Sequence, residues 1–401
     1  MFGITKEYIS RKQDVSKKNF AAIFILLFNT LSWYYMVWEV LFRNYENVTL
    51  MWIGFDVLTV ISMIFAVIFL RKSDTSKFLF CWICFGVFSS LLFMLFKDYA
   101  VYTPLISSLL GISVGLGVPY SLSAFANLID IKNRGLAAGI ILLLTMIVIP
   151  LTVIIMTSKF FGDSTDFLLL AVWRGGGLTI FIFKPKLETQ EKKSTFKSVL
   201  QDRSFVLYCI PWLMFLFVNQ FESMLLKPFF ESHFGQPTPK IGPIVGALFS
   251  LIGGFFADTT GRRRVVIYGF ASLGFAYAIL SFSPEWLVSW YFFFLMNGAA
   301  WGIIFACFTL ILWGDLSQNG DKEKYYTIGN MPFFLTDLLR LPSFPFAYLP
   351  PTTSFSLASL FLFVAVLPLM FAPETLPEKK LRERELKKYI EKAKKIKEKY
   401  V

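Results

Sequence analysis

Residues 241–283 read IGPIVGALFSLIGGFFADTTGRRRVVIYGFASLGFAYAILSFS. Two apolar runs flank a short turn that carries one acid, Asp258, and three consecutive bases, Arg262, Arg263 and Arg264. Each run approaches the roughly 20 residues that cross a hydrocarbon layer of about 30 Å. No water reaches the backbone inside such a layer, so a spanning run must close its own hydrogen bonds as a helix. The stretch therefore predicts two transmembrane helices joined by a tight, charged turn.

The same alternation extends outward over all 401 residues. Hydrophobic residues make up 56% of the chain and charged ones 16%, against about 25% charged in a soluble domain. Mean hydropathy is +0.60. Apolar runs occupy 20–42, 48–70, 78–97, 100–127, 135–158, 166–183, 204–226, 241–257, 264–283, 286–313, 325–349 and 354–372. The predicted fold class is an all-α polytopic membrane protein with twelve transmembrane helices. This composition excludes soluble enzymes, nucleic-acid readers and disulfide-stapled secreted domains.

The net charge of +12 lies between the spans. Twelve spans put both chain ends on one side, and segments on that side hold 32 of the 39 Lys and Arg residues. The other side holds Arg43, Lys97, Lys159, Lys227 and Lys240, while Arg174 and Arg340 fall within spans. By the positive-inside rule both termini are cytoplasmic, and the expected location is the cell membrane. The first 19 residues are a charged segment with no cleavable signal pattern, so the first helix is expected to stay.

A basic linker, Lys184 to Arg203, divides the spans into two groups of six, 20–183 and 204–372, the arrangement of transporters built from repeated bundles. The linker is expected to lie on the membrane surface. In the tail, 373–401, the stretch Pro377 to Val401 has 11 Lys and Arg against 5 Glu. There Leu386, Tyr389, Ile390, Ala393, Ile396 and Tyr400 recur at helical spacing. That amphipathic helix either meets anionic lipid headgroups or is simply solvated. Cys81, Cys84, Cys209 and Cys307 all fall in spans and read as packing residues. The lone His233 reads as a solvated outer-loop residue with no second ligand beside it. No metal or other cofactor is predicted.

The turn that opened the reading, Gly254-Phe-Phe-Ala-Asp258-Thr-Thr-Gly261-Arg262-Arg263-Arg264, resembles the G-x-x-x-D-R-x-G-R-R loop signature of the major facilitator superfamily. Thr259 departs from it, since the family usually has Arg or Lys there. Arg71-Lys-Ser-Asp74-Thr-Ser-Lys77 is a degenerate counterpart without the glycines, and Ala372-Pro373-Glu374-Thr375 resembles the sugar-porter ending. The sugar-porter arginine of the fourth span is absent, so the branch stays unassigned. The resemblance implies two six-helix bundles around a central cavity. It also implies that Asp258 faces the start of the fifth span, at Arg134-Gly135. A cytoplasmic latch between bundles is expected from Gly254, Asp258, Gly261, Arg262 and Arg263 with Asp130 and Arg134.

Ionisable residues inside spans cost at least about 2.5 kcal/mol each and so mark pathways or pairs. Asp56 and Arg340 lie at matching depths, roughly 10 and roughly 13 Å from the outer ends of spans two and eleven at 1.5 Å per residue. They are expected to pair as an outer gate or a register-setting contact. Asp337, one turn from Arg340, competes for it, and the carboxylate left over is the proton-carrier candidate. Glu39 and Glu222 read as mouth residues, and Glu222 joins Asp56, Asp337 and Arg340 as a candidate for proton coupling or the outer gate. Arg174, followed by three glycines, has no evident partner and is expected to point inward. By the resemblance, spans one, four, seven and ten line the cavity, offering Asn29, Trp33, Tyr34, Ser113, Tyr120, Asn219, Gln220, Asn297 and Trp301 as substrate-binding candidates.

Amides beside aromatic faces suit a small organic solute better than a bare ion. The expected function is secondary active transport by alternating access, symport or antiport, with a proton as the expected coupling ion. The expected partners are that solute, the ion and membrane lipid, with the protein a monomer. The alternative is a non-transporting receptor or lipid-handling protein on the same fold. No nucleotide-binding loop is present for primary pumping, and no Ser/His or Cys/His pairing for intramembrane enzymology.

Overall fold

A computed structural model of the chain describes residues 2–45, 48–69, 75–97, 99, 101–157, 165–183, 195–239, 241–317, 321–340 and 350–377; the side chains of 2–17, 75, 157, 221–224 and 340 fall outside it. Six helices come from the first half: α1 (Phe2–Tyr45), α2 (Thr49–Phe69), α3 (Thr75–Phe96), α4 (Thr103–Leu128), α5 (Arg134–Thr157) and α6 (Thr165–Gly176). Six more follow: α7 (Arg203–Phe234), α8 (Gly242–Thr259), α9 (Arg262–Phe282), α10 (Leu287–Leu316), α11 (Lys322–Asp337) and α12 (Pro351–Phe371). Among the described residues, eleven helices are long and apolar enough to span, the exception being α11.

The exception has a physical reason. On α11 the buried residues include Glu323, Tyr325, Tyr326, Thr327, Asn330, Thr336 and Asp337, a polar set that lipid could not accept. The helix packs against α2, α4 and α7, inside the molecule. It starts at Lys322 and gives way after Asp337 to a 3-10 turn, Leu338–Arg340, while residues 341–349 of the expected span lie outside those described. Pro342 follows closely, and proline both lacks an N–H and pushes its predecessor out of the helical region.

Within the first six helices α2 packs on α4 and α3 on α6, and within the second six α9 packs on α12 and α8 on α10. Between halves the main contacts are α5 with α8 and α2 with α11, which are symmetry-related pairs in a two-bundle fold. The α5–α8 seam is built on small residues. A Cβ on Gly135 would strike the carbonyl oxygen of Gly254, and a Cβ on Gly254 that of Gly135. One turn further in, a Cβ on Gly139 would sit 2.6 Å from the Ser250 carbonyl oxygen. Such close backbone approach is how helices associate where no hydrophobic force acts between them.

Other elements refine the sequence reading. The first 19 residues do not stand apart from the first span, because α1 is continuous from Phe2. His233 lies in the last turn of α7 rather than in a loop, its ring stacked 5.5 Å from Phe229; Gly235, at φ 61°, closes that helix. Of the linker, a five-residue helix, Phe196–Leu200, is capped reciprocally by Thr195 and Ser198. Linker residues 184–194, the degenerate 71–74 turn and the basic tail from 378 lie outside the described residues. The chain crosses alternately, so odd-numbered helices begin and even-numbered helices end at the face that carries the Asp258–Arg264 turn, termed here the motif face.

Candidate functional site

A cavity of about 380 Å³ lies between the halves, lined from α1, α5, α7, α8, α10 and α11. Its residues include Tyr34, Tyr35, Trp38 and Glu39 of α1, Asn219 and Gln220 of α7, Asn297 and Trp301 of α10, and Phe333, Thr336 and Asp337 of α11. By the direction of each helix these positions run from mid-depth into the half away from the motif face. Trp301 Nε1 donates to Asn219 Oδ1 at 3.0 Å. Asp337 is buried, accepting from Trp38 Nε1 at 3.2 Å and from the Gln220 amide. A void of about 30 Å³ lies nearer the motif face, lined by Thr30, Val118, Leu122, Asn330 and others. Tyr34, Tyr35 and Phe333 line both spaces and so form the floor of the larger one.

The structure thus brings together Tyr34, Asn219, Gln220, Asn297 and Trp301 of the expected cavity residues, and leaves Asn29, Trp33 and Tyr120 out. Tyr120 is buried against Phe78 at 4.9 Å, its hydroxyl donating to the Ala66 carbonyl at 3.3 Å. Asn29 and Trp33 serve Arg174. That guanidinium is fully buried inside the first bundle, 4.1 Å from the ring centroid of Trp82 and 4.9 Å from that of Trp33. It donates to Asn29 Oδ1 at 3.3 Å and Thr30 Oγ1 at 3.1 Å. Gly86 makes the room, since a Cβ there would sit 2.8 Å from Arg174 Nε. Ser113 lies in the same packing, its carbonyl accepting from Trp82 Nε1. Arg174 points inward as expected, and the helix beyond it changes to a 3-10 turn, Gly177–Phe183.

Sequence reasoning missed Tyr35, Trp38, Phe333 and Thr336. The signal existed on α1, where Tyr35, Trp38 and Glu39 recur at three-to-four spacing on one helix face. Glu39 lines the cavity and lies 3.9 Å from Arg43. Asp56 is buried on α2 outside the cavity lining, and α2 packs against the Leu338–Arg340 turn. The side chains of Arg340 and Glu222 lie outside the described residues.

On the motif face a charged cluster joins the halves. Asp258 accepts the backbone N–H of Gly135 at 2.9 Å and of Leu136 at 2.8 Å, a carboxylate set on the positive end of α5. Arg262 reaches Asp258 at 3.2 Å and the Ile131 carbonyl at 2.6 Å. Both Arg262 and Arg134 pair with Asp315 of α10. Arg134 also donates to the carbonyls of Ala126 at 2.6 Å and Ile129 at 3.2 Å.

Asp315 therefore takes the place expected for Asp130, which is exposed. Asp130 sits on a turn open to water, whereas α10 extends to Leu316 and so carries Asp315 inside. Arg134 correspondingly meets Asp315 and not Asp258. Glu374 caps α9 by accepting from the N–H of Arg262 at 2.9 Å and of Arg263 at 3.2 Å. Gly261 is needed there, with φ 110° and no space for a Cβ beside that carboxylate. Arg263 Nη1 donates to the Ala372 carbonyl at 2.9 Å, and Thr375 Oγ1 to Asp315 at 3.2 Å. A second tie joins α4 to α11: Ser123 Oγ donates to Glu323 at 2.9 Å, and Lys322 Nζ to the Ala126 carbonyl at 3.2 Å.

Helices that satisfy their own backbone, an apolar lipid-facing exterior and a cavity between halves define a multi-pass membrane protein. No protein-family model and no curated protein sequence matches the chain. Solved structures do match. The human organic anion transporter MFSD10 aligns over 88% of this chain and 99% of its own at TM-score 0.67 and 12% identity. The proton:xylose symporter XylE aligns over 90% and 96% at TM-score 0.62 and 13% identity. FucP, a major facilitator superfamily transporter in the outward conformation, aligns over 88% and 98% at TM-score 0.66 and 10% identity. The chain has the major facilitator superfamily fold, with no branch assigned.

Proposed function

We propose that this protein is a secondary active transporter of a small organic solute, working by alternating access and coupled to protons through Asp337. The observation that carries the reading is the position of the 380 Å³ cavity, between the halves and away from a motif face knitted shut by Asp258, Arg262, Arg134 and Asp315. A site reached from one side and sealed from the other is one of the two states that alternating access requires. The fold neighbours, an organic anion transporter and a proton:xylose symporter by their titles, support transport as the shared activity while differing in solute.

The motif face is cytoplasmic in this reading, on the strength of the basic-residue asymmetry, with both termini on that side of the cell membrane. The segments 20–183 and 204–372 act as the two moving bodies, linked by 184–203. Tyr34, Asn219, Gln220, Asn297 and Trp301 contact solute, joined by Tyr35 and Trp38. Asp337 is preferred to Asp56 as proton carrier because it alone of the two lines the cavity. Asp56 with Arg340 is left as the outer gate, where α2 meets the Leu338–Arg340 turn.

Proteoliposomes with a trapped pH-sensitive dye and an imposed pH gradient test the reading. Wild-type protein is expected to move protons when solute is added and to accumulate solute down the gradient. Asp337→Asn is expected to keep solute exchange and lose gradient-driven accumulation. Equal accumulation by this variant would remove Asp337 from the coupling step.

A further inference from the structure

We propose that the π-helical stretch of α10, Ala306–Ile311, is a register switch that connects the cavity to the motif face, and that Tyr326 of α11 holds it in its present setting. With the motif face closed, the stretch keeps Asp315 between Arg134 and Arg262; when that face opens, it rewinds to α-helix and carries Asp315 away. This rests on the alternating-access reading and names the device that joins its two ends.

α10 carries both ends on one rod. Asn297 and Trp301 line the cavity, and Asp315 pairs with both guanidinium groups of the motif cluster. The π-helical stretch lies between them. At its exit the backbone N–H of Leu312 donates to the Cys307 carbonyl, five residues back, where an α-helix would use Phe308. Single π turns inside α-helices are rare and concentrate at functional sites. Such a turn holds one residue more than the α turn it replaces. Rewinding it therefore rotates the two ends of α10 against each other by about 100° and shifts them by about 1.5 Å along the axis. Asp315 cannot stay between Arg134 and Arg262 through that rotation, because both pairs are buried and in direct contact.

The contacts on either side of the stretch suit this role. Trp301 lies 5.8 Å from the ring of Phe305, and Phe305 lies 5.5 Å from that of Phe333, so rings of the cavity abut the entrance of the stretch. A solute that packs on Trp301 differently in the two registers biases the equilibrium by that difference in affinity. Near the exit a bond from another helix holds the register. The buried Tyr326 hydroxyl donates to the Leu310 carbonyl at 2.6 Å. That bond needs the carbonyl to face α11, and a rotation of about 100° removes it. Tyr326 lines neither the cavity nor the void beneath it; it is a positioning residue that acts through Asp315.

The test uses the purified full chain carrying Leu122→Cys, beneath the cavity floor, with labelling of that residue by a water-soluble maleimide read by mass spectrometry. Tyr326→Phe is expected to raise the labelling rate about fivefold, the change that loss of one hydrogen bond makes in an equilibrium. Tyr325→Phe is the control. It removes the neighbouring hydroxyl, which donates to Asp202 and not to α10, and is expected to leave the rate unchanged. In an Asp315→Asn background Tyr326→Phe is expected to add nothing, because it acts through that acid. An equal further rise there would mean that the hydroxyl only tightens packing, and would overturn the proposal. Unchanged labelling in Tyr326→Phe while Gly254→Val labels also overturns it and leaves the transporter reading intact. Labelling in none of these variants would show that the motif face does not open, and would overturn both.

Discussion

Arg174 is a residue whose position the rule about charges inside spans flagged without explaining. Its guanidinium lies over two indole rings and donates to Asn29 and Thr30. No carboxylate is among its described hydrogen bonds, so the charge is carried by ring faces and neutral dipoles. That arrangement needs a flat cation, and lysine is not a substitute for it. Arg174→Lys is expected to cost about 2 kcal/mol, the scale of a desolvated cation–π contact, seen as a lower melting temperature of the detergent-solubilised protein. An unchanged melting temperature would show that the stacking contributes nothing. The same residue explains why Asn29 and Trp33 were misplaced from sequence. Both are polar or amphipathic and sit at mid-depth on a cavity-lining helix, but hydropathy does not say which face of α1 turns toward α6.

At the scale of elements, eleven spans were legible because lipid forces each apolar run to be a helix, whatever its neighbours do. Span eleven was legible as a run, but its change to a 3-10 turn at Leu338–Arg340 was not. The α5–α8 seam was legible in part. The turn placed Asp258 opposite the start of span five at Gly135, while the match of Gly135 to Gly254 required the packed helices. This seam makes a prediction about gating. Gly254→Val would force apart two backbones already in contact, and the adjacent halves would separate on the motif face. A cysteine placed by Leu122→Cys, buried beneath the cavity floor, is expected to change from unreactive to reactive toward a water-soluble maleimide in the Gly254→Val background. Equal labelling in both backgrounds would show that the seam does not hold the motif face closed.

At the scale of the whole molecule, the motif cluster couples four helices from both halves through two buried acids. Asp258 was found through the family-like turn, because its partner is the start of a helix and helix starts are local features. Asp315 was not found, because what makes it a partner is where α10 places it. A π-helical stretch, Ala306–Ile311, precedes it, and such a stretch shifts the face that the following residues present. The cluster's energetic role follows from the bonds at stake.

Asp258→Asn keeps one acceptor for the α5 N–H groups but gives up the second and the pairing with Arg262. Hydrogen bonds to charged groups contribute about 1.5–3 kcal/mol each, and about 1.4 kcal/mol is a tenfold change in an equilibrium. The lost contact with α5 crosses between the halves and stabilises only the state with the motif face closed, whereas Asp258 and Arg262 lie four residues apart within one half, so it is the first loss that shifts the population rather than the fold. The expected result is at least a tenfold rise in the fraction with the motif face open, read as a new long-distance population between spin labels on the motif-face ends of α5 and α10. Asp315→Asn, which uncouples Arg134 from Arg262, is expected to shift it further, because it leaves two buried guanidinium groups without their shared carboxylate. A single unchanged distance in both variants would mean that the cluster sets the register of the bundles and has no part in switching between them.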